Sequence, residues 1–175
     1  MIEKLKIGIS SCLLGSAVRY DGGHKRDQVL LDTLGLSVEW VPICPEVGAG
    51  LPVPREPMQL VGTLPLPRLV TITTRIDHTE QLKRWVEQAL ATLGEQHLCG
   101  FVFKARSPSC AVRDAEVVGQ DGRPIGRGAG LFAVAVIRRF PGLPVEAEGE
   151  LQDPDNRRRF LERAAAYRKI DARIL

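Results

Sequence analysis

The chain has 175 residues, 44% hydrophobic and 26% charged, with a net charge of +3, which suits one globular domain and excludes general disorder. No run of about 18 or more apolar residues is present, and the N-terminus MIEKLKIGIS has no apolar core of signal-peptide length, so the chain reads as cytoplasmic. In that compartment the four cysteines are expected to be metal ligands, catalytic thiols or buried apolar side chains rather than disulfides.

Lys4 to Ser11 reads as a buried first strand, with Cys12 at its carboxyl end. Leu13 to Lys25, with Gly15, Gly22 and Gly23, reads as a loop. Asp27 to Leu36 suits a short helix closed by Gly35, and Val38 to Cys44 a second strand running into Pro45 and Glu46. Residues 45–68 are rich in proline and glycine and are expected to form a long structured loop of the kind that carries function. Leu69 to Ile76 is a β-branched strand. Leu82, Val86, Ala89, Leu90 and Leu93 fall at helical spacing, which predicts a helix from Thr79, its expected cap, to Leu93, with Gly94 as its stop.

Leu98 to Lys104 reads as a further strand, ending at Ala105-Arg106-Ser107-Pro108-Ser109-Cys110. A short strand and turn follow over 116–122, then a glycine-rich segment over 124–130. Leu131 to Phe140 is apolar and suits a helix or a strand, with the helix favoured. A last helix is predicted from about Pro154 to Ile170, capped by Asp153. Strands alternating with helices imply a Rossmann-like α/β fold: a mostly parallel sheet flanked by helices, with a C-terminal basic helix.

Residues 155–175 hold seven Lys or Arg (Arg157, Arg158, Arg159, Arg163, Arg168, Lys169 and Arg173) against three acids, a segment charge of +4. The plain reading is a solvated helix face; the sharper one is a contact for a polyanion such as RNA. Aromatic residues are only 5%, so base-stacking platforms are scarce.

In parallel α/β sheets, ligands bind beyond the carboxyl ends of the strands. Cys12, Cys44 and Cys110 all occupy such positions, while Cys99 lies near the start of a strand and reads as a buried core residue. Three thiolates without a fourth suggest a metal centre with an open coordination position, held by zinc, copper(I) or an iron–sulfur cluster. From spacing alone, with no CxxC pair, that signal is weak. Pro45 after Cys44 strengthens it slightly, since a Cys-Pro step occurs at cluster ligands. His24, His78 and His97 show no ligand spacing and read as surface or loop residues.

Ser11-Cys12-Leu13-Leu14-Gly15 with Arg19-Tyr20-Asp21-Gly22, then Cys44-Pro45-Glu46, Gly62 and Lys104-Ala105-Arg106-Ser107-Pro108-Ser109-Cys110, resemble in order the thiouracil desulfurase (TudS) family, also known as domain of unknown function 523. Gly126 to Phe132 resembles that family's closing motif. The resemblance covers about residues 4–140 and implies a [4Fe-4S] cluster on Cys12, Cys44 and Cys110 with one iron free of protein ligands. It implies a non-redox desulfidase that replaces sulfur by oxygen in a thiolated pyrimidine and releases sulfide. Glu46 then corresponds to the acid/base residue and Ser107 to a substrate-contacting serine. Arg19, Tyr20, Lys104 and Ser109 are expected in the substrate-binding loops, Ser109 as a turn residue or a donor to cluster sulfur.

On this reading residues 1–140 are the iron–sulfur domain. Residues 141–175 resemble the connector of longer relatives (the RudS form), in which a second helical domain follows and the substrate is 4-thiouridine in tRNA. Two other functions compete. An iron–sulfur regulatory or redox-sensing module needs no acid/base group at its open iron, and Glu46 and Ser107 argue against it. A zinc hydrolase ranks last, because three thiolates quench the Lewis acidity of zinc.

Overall fold

The computed structural model describes residues 4–171, so Arg173 of the basic segment lies outside the described residues. In chain order the strands are β1 (Leu5–Ser10), β2 (Val38–Ile43), β3 (Met58–Val61), β4 (Arg68–Thr71), β5 (Gly100–Phe103), β6 (Ala115–Val118), β7 (Pro124–Gly128) and β8 (Val145–Ala147). The helices are α1 (Gln28–Leu34), α2 (Pro45–Gly48), α3 (Thr79–Glu95), α4 (Leu131–Arg139) and α5 (Pro154–Asp171).

The main sheet has the order β2-β1-β5-β8, with every neighbouring pair parallel. Its two faces are both covered, as a parallel sheet requires. On one face Ile7 and Ile9 of β1 pack with Leu30 and Leu34 of α1 and with Phe160 and Ala164 of α5. On the other, Phe101 and Phe103 of β5 meet Leu82 and Val86 of α3 and Phe132 and Val136 of α4. The rings of Phe101 and Phe103 stack with centroids 4.1 Å apart, and Phe132 meets them edge-on at 5.8 and 6.0 Å. Gly8 makes room for this cluster, since a β-carbon there would lie 2.3 Å from the Phe101 ring.

Two helices start on an aspartate cap, of which the sequence predicts Asp153. Asp27 accepts from the Leu30 N–H at 3.1 Å to start α1, and Asp153 accepts from the Asp155 and Asn156 N–H groups at 2.8 and 3.0 Å to start α5. Leu143, Leu151, Phe160 and Ala164 join the same core. β8 is the fourth strand of the main sheet, and Phe160 is fully buried.

A second sheet, order β4-β3-β6-β7, is absent from the sequence reading. It joins β3 to β6 in parallel, while β3–β4 and β6–β7 are antiparallel. The 45–68 stretch read as a loop therefore contains α2 and β3; β3 is only four residues long and flanked by proline, so no alternating run marks it. The predicted strand 69–76 stops at Thr71. There Thr71 Oγ1 accepts the Ile76 N–H at 2.7 Å, and the Glu56 carboxylate caps the turn by accepting from the Thr73 N–H and from the Thr74 N–H and hydroxyl. Hydrogen-bonded turn chemistry thus overrides β-branched propensity. Five of the seven residues of the glycine-rich 124–130 segment form β7, and α3 starts one residue past His78, with Thr79 inside it and Gly94 within its last turn. The Thr79 hydroxyl instead accepts the Leu69 N–H at 2.8 Å, tying α3 to β4. No helix among the described residues is long and apolar enough to cross a membrane.

Candidate functional site

β1 and β2 run in parallel register with Ser10 opposite Ile43, so the chain leaves both strands at one edge of the sheet. Cys12 lies in the 3-10 turn Ser11–Leu14, which Gly15 closes at a φ of 99°, a conformation suited to glycine. Cys44 sits at the N-cap of α2, with Pro45 and Glu46 in its first turn. β5 lies beside β1, with Ile9 opposite Val102, and the Lys104 N–H donates to Ser10 Oγ at 2.9 Å. The loop after β5 brings in Ser107 and Cys110. Ser107 Oγ accepts the Ser109 and Cys110 N–H groups at 3.3 and 3.1 Å, so the hydroxyl folds the turn that carries the third cysteine. Ser109 O in turn accepts from Phe132 and Ala133 at the start of α4.

These segments enclose a cavity of about 400 Å³. Cys12, Cys44, Cys110, Glu46, Ser107 and Lys104 line it, and Arg19 and Tyr20 border it from the loop after Cys12. Ser109 stands apart: it is fully buried and does not line the cavity. Cys99 is also buried and outside the cavity wall, its N–H donating to Lys6 O at 2.8 Å. His24 and His78 have local partners, Arg26 and Gln81.

The sequence reading did not single out Ser10, whose hydroxyl accepts from Lys104 and also bonds the Cys110 thiol. Nor did it find Glu148, whose carboxylate pairs with Lys104. Both partnerships link segments far apart in sequence, so no local motif reports them. Arg55, from the proline-rich stretch, also lines the cavity; it donates to Val18 O at 3.0 Å and lies 3.9 Å from Glu46 Oε2.

The thiols are largely buried, Cys12 and Cys110 more than Cys44. Burial pushes the Cys44 thiol up to about 12, reinforced by the Glu46 carboxylate, whose Oε2 lies 3.5 Å from Sγ. Burial likewise raises Cys12 and, much further, Cys110; the Ser10 hydroxyl partly offsets the latter. Such thiols stay protonated at neutral pH unless a metal displaces the proton.

The donor set fits a soft-metal group. All four cysteines are free thiols. Arg19 Nε and Arg55 Nε are buried at the cavity without a hydrogen-bond acceptor, two cationic donors that a negatively charged, thiolate-rich group would satisfy. Among the described residues no three His, Cys, Asp or Glu side chains are placed to hold a single metal ion. The three free thiols that line the cavity are soft donors of the kind an iron–sulfur cluster takes.

Known proteins resemble this chain. A solved structure of the [4Fe-4S]-dependent thiouracil desulfidase TudS superposes with a TM-score of 0.67 at 34% identity, covering 85% of this chain and 94% of that one. The uncharacterised protein YbbK of Bacillus subtilis (strain 168) is 28% identical over 150 residues, 83% of this chain and 97% of its own length. The 2-thiouracil desulfurase family matches residues 7–148, the span that carries the three cavity cysteines, Glu46 and Ser107. The chain therefore belongs to the 2-thiouracil desulfurase family.

Proposed function

We propose that the protein is a desulfidase that replaces the sulfur of a thiolated pyrimidine by oxygen, using a [4Fe-4S] cluster held by Cys12, Cys44 and Cys110. The observation that carries this reading is that three free thiols, a buried carboxylate and a serine hydroxyl line one cavity. When bound, such a cluster supplies a Lewis-acidic iron with affinity for thiocarbonyl sulfur.

The chain's own groups supply the rest. Glu46 is 8% exposed, and its carboxylate lies beside the guanidinium of Arg55. As general base it takes a proton from the water whose oxygen bonds to the ring carbon. The C–S bond breaks, a C–O bond forms, and sulfur leaves as hydrosulfide. Water provides the oxygen and the protons, so no oxidant or reductant is needed. Ser107 Oγ already accepts two backbone N–H groups, which leaves its own hydrogen to donate to a ring carbonyl or nitrogen. Tyr20 and Arg19 close the substrate side, and Pro57 and Met58 give it an apolar wall. The catalytic groups argue against a purely regulatory cluster.

Thiouracil is the substrate class this cavity suits. At about 400 Å³ it is small for a ligand pocket. The second reading is 4-thiouridine in tRNA, with residues 141–175 leading toward a further RNA-facing domain, and the basic charge of α5 supports it. That support is reduced by local pairing: Arg158 pairs with Asp155 and Glu162, Arg163 with Glu146, and Arg157 donates to Leu151 O and Gln152 O. Free thiols at the site suit the reducing cytoplasm as the compartment.

The test is anaerobic reconstitution with iron and sulfide, followed by assay of sulfide release from 2-thiouracil, 4-thiouracil, 4-thiouridine and thiolated tRNA. Brown protein that releases sulfide from the free bases is the expected result. Brown protein inert toward all of them would refute the desulfidase reading, and release from tRNA alone would favour the second reading.

A further inference from the structure

Glu148 follows β8 and reaches back to the end of β5. Its side chain is 13% exposed and that of Lys104 is 14% exposed. Oε1 accepts from Lys104 Nζ, and Oε2 accepts the Ala105 N–H at 2.6 Å. Glu148 is itself anchored: its N–H donates to Phe103 O at 3.1 Å, and its carbonyl accepts from Leu151 N–H and Gln152 Nε2, each at 3.2 Å. Lys104 is held at its backbone by Ser10, and its ammonium also donates to Ala105 O at 3.1 Å. An ammonium carries three donors, so two are engaged inside the protein and one remains. Lys104 lines the cavity.

A buried ion pair contributes little net stability, because desolvation of both charges offsets their attraction. Two charges kept nearly dry beside a reaction cavity are better explained by orientation. A free lysine side chain samples many rotamers. Glu148 removes that freedom and leaves a fixed cation in the wall. We infer that Glu148 is a positioning residue, holding Lys104 so that its remaining N–H donates to an acceptor atom of the thiolated pyrimidine, the ring oxygen or the sulfur. Glu148 itself touches no substrate. The kinetic consequence rests on the function proposed above; the link between Glu148 and Lys104 does not.

The experiment uses the full chain with Glu148→Gln, Glu148→Asp, Lys104→Met and the Glu148→Gln/Lys104→Met double variant. Glutamine keeps the shape and can still accept the Ala105 N–H, so the fold is retained, checked by circular dichroism. The first readout is acylation of Lys104 by acetic anhydride, followed by mass spectrometry against the exposed Lys83. Glu148→Gln should speed Lys104 labelling several-fold with Lys83 unchanged; equal labelling overturns the inference. The second is kcat/KM for thiouracil on cluster-loaded protein. Glu148→Gln and Lys104→Met should each lower it about ten- to hundredfold, mainly through KM, with Glu148→Asp recovering part. The double variant should be no worse than Lys104→Met. Losses that multiply would assign Glu148 a structural role independent of Lys104. If the unmodified protein releases no sulfide from any thiolated substrate, the desulfidase reading fails, and the labelling ratio by itself decides the Glu148–Lys104 link.

Discussion

Gly130 lies so close to Ser109 that a β-carbon at residue 130 would sit 2.3 Å from the Ser109 carbonyl carbon and 2.6 Å from the Cys110 nitrogen. The start of α4 therefore presses directly on the turn that presents the third thiol. The backbone of Gly130 is ordinary, with φ −67°, so the requirement for glycine there is space rather than conformation.

Gly130→Ala should push the Cys110 turn outward. The expected cost is about 1–3 kcal/mol of stability, as for overpacking elsewhere. Iron bound after anaerobic reconstitution should fall below the level of the unsubstituted chain. Full iron content at unchanged stability would show that the turn tolerates displacement.

Cys12→Ala, Cys44→Ala and Cys110→Ala should each abolish stable cluster binding, read as iron per chain and visible absorbance. Cys99 serves as the internal control, since it is buried outside the cavity. Cys99→Ala should keep the iron and the activity and cost about 1 kcal/mol.

Glu46→Gln preserves the shape of the side chain and removes its basicity. The cluster should load normally while kcat for sulfide release drops about 10²- to 10⁴-fold, the range for loss of a general base. Stopped-flow binding of thiouracil should change little. A variant with near-normal kcat would remove Glu46 from the reaction.

Phe132 is fully buried against Phe101 and Phe103 at the centre of one face of the main sheet. Phe132→Ala should destabilise the protein by about 3–5 kcal/mol in urea unfolding. A loss much below that would mean the aromatic cluster collapses to fill the gap.

The iron-free protein should lose stability at alkaline pH. Burial raises the Cys44 thiol from 9.0 to about 12, and Cys12 and Cys110 shift the same way. Below pH 9 the thiols are protonated in both states, and their contribution to stability is fully present. Above it the unfolded chain releases protons that the folded chain keeps, so the contribution falls as pH rises toward the folded values. The urea midpoint should be lower at pH 10 than at pH 8. Cys44→Ala should flatten that dependence, and an identical slope in the variant would contradict the assignment.

The sequence by itself determined the strand–helix alternation, the capping of α5 by Asp153, and the three cysteines at strand ends. These are local properties: side-chain periodicity, cap chemistry and the position of a residue after an apolar run. The motifs around Cys12, Cys44 and Cys110 also placed Glu46 and Ser107 beside the thiols. The second sheet was not legible as a sheet: β4 and β6 read as separate strands, but β3 is four residues long and β7 falls in a glycine-rich segment, so both gain their order from pairing rather than from pattern. Ser10 and Glu148 escaped for a related reason. Their partner Lys104 lies 94 and 44 residues away, and only the parallel packing of β1, β5 and β8 brings these groups together. Tertiary structure decided which polar side chains share one cavity, since burial and proximity are set by how the strands pair and not by any single segment.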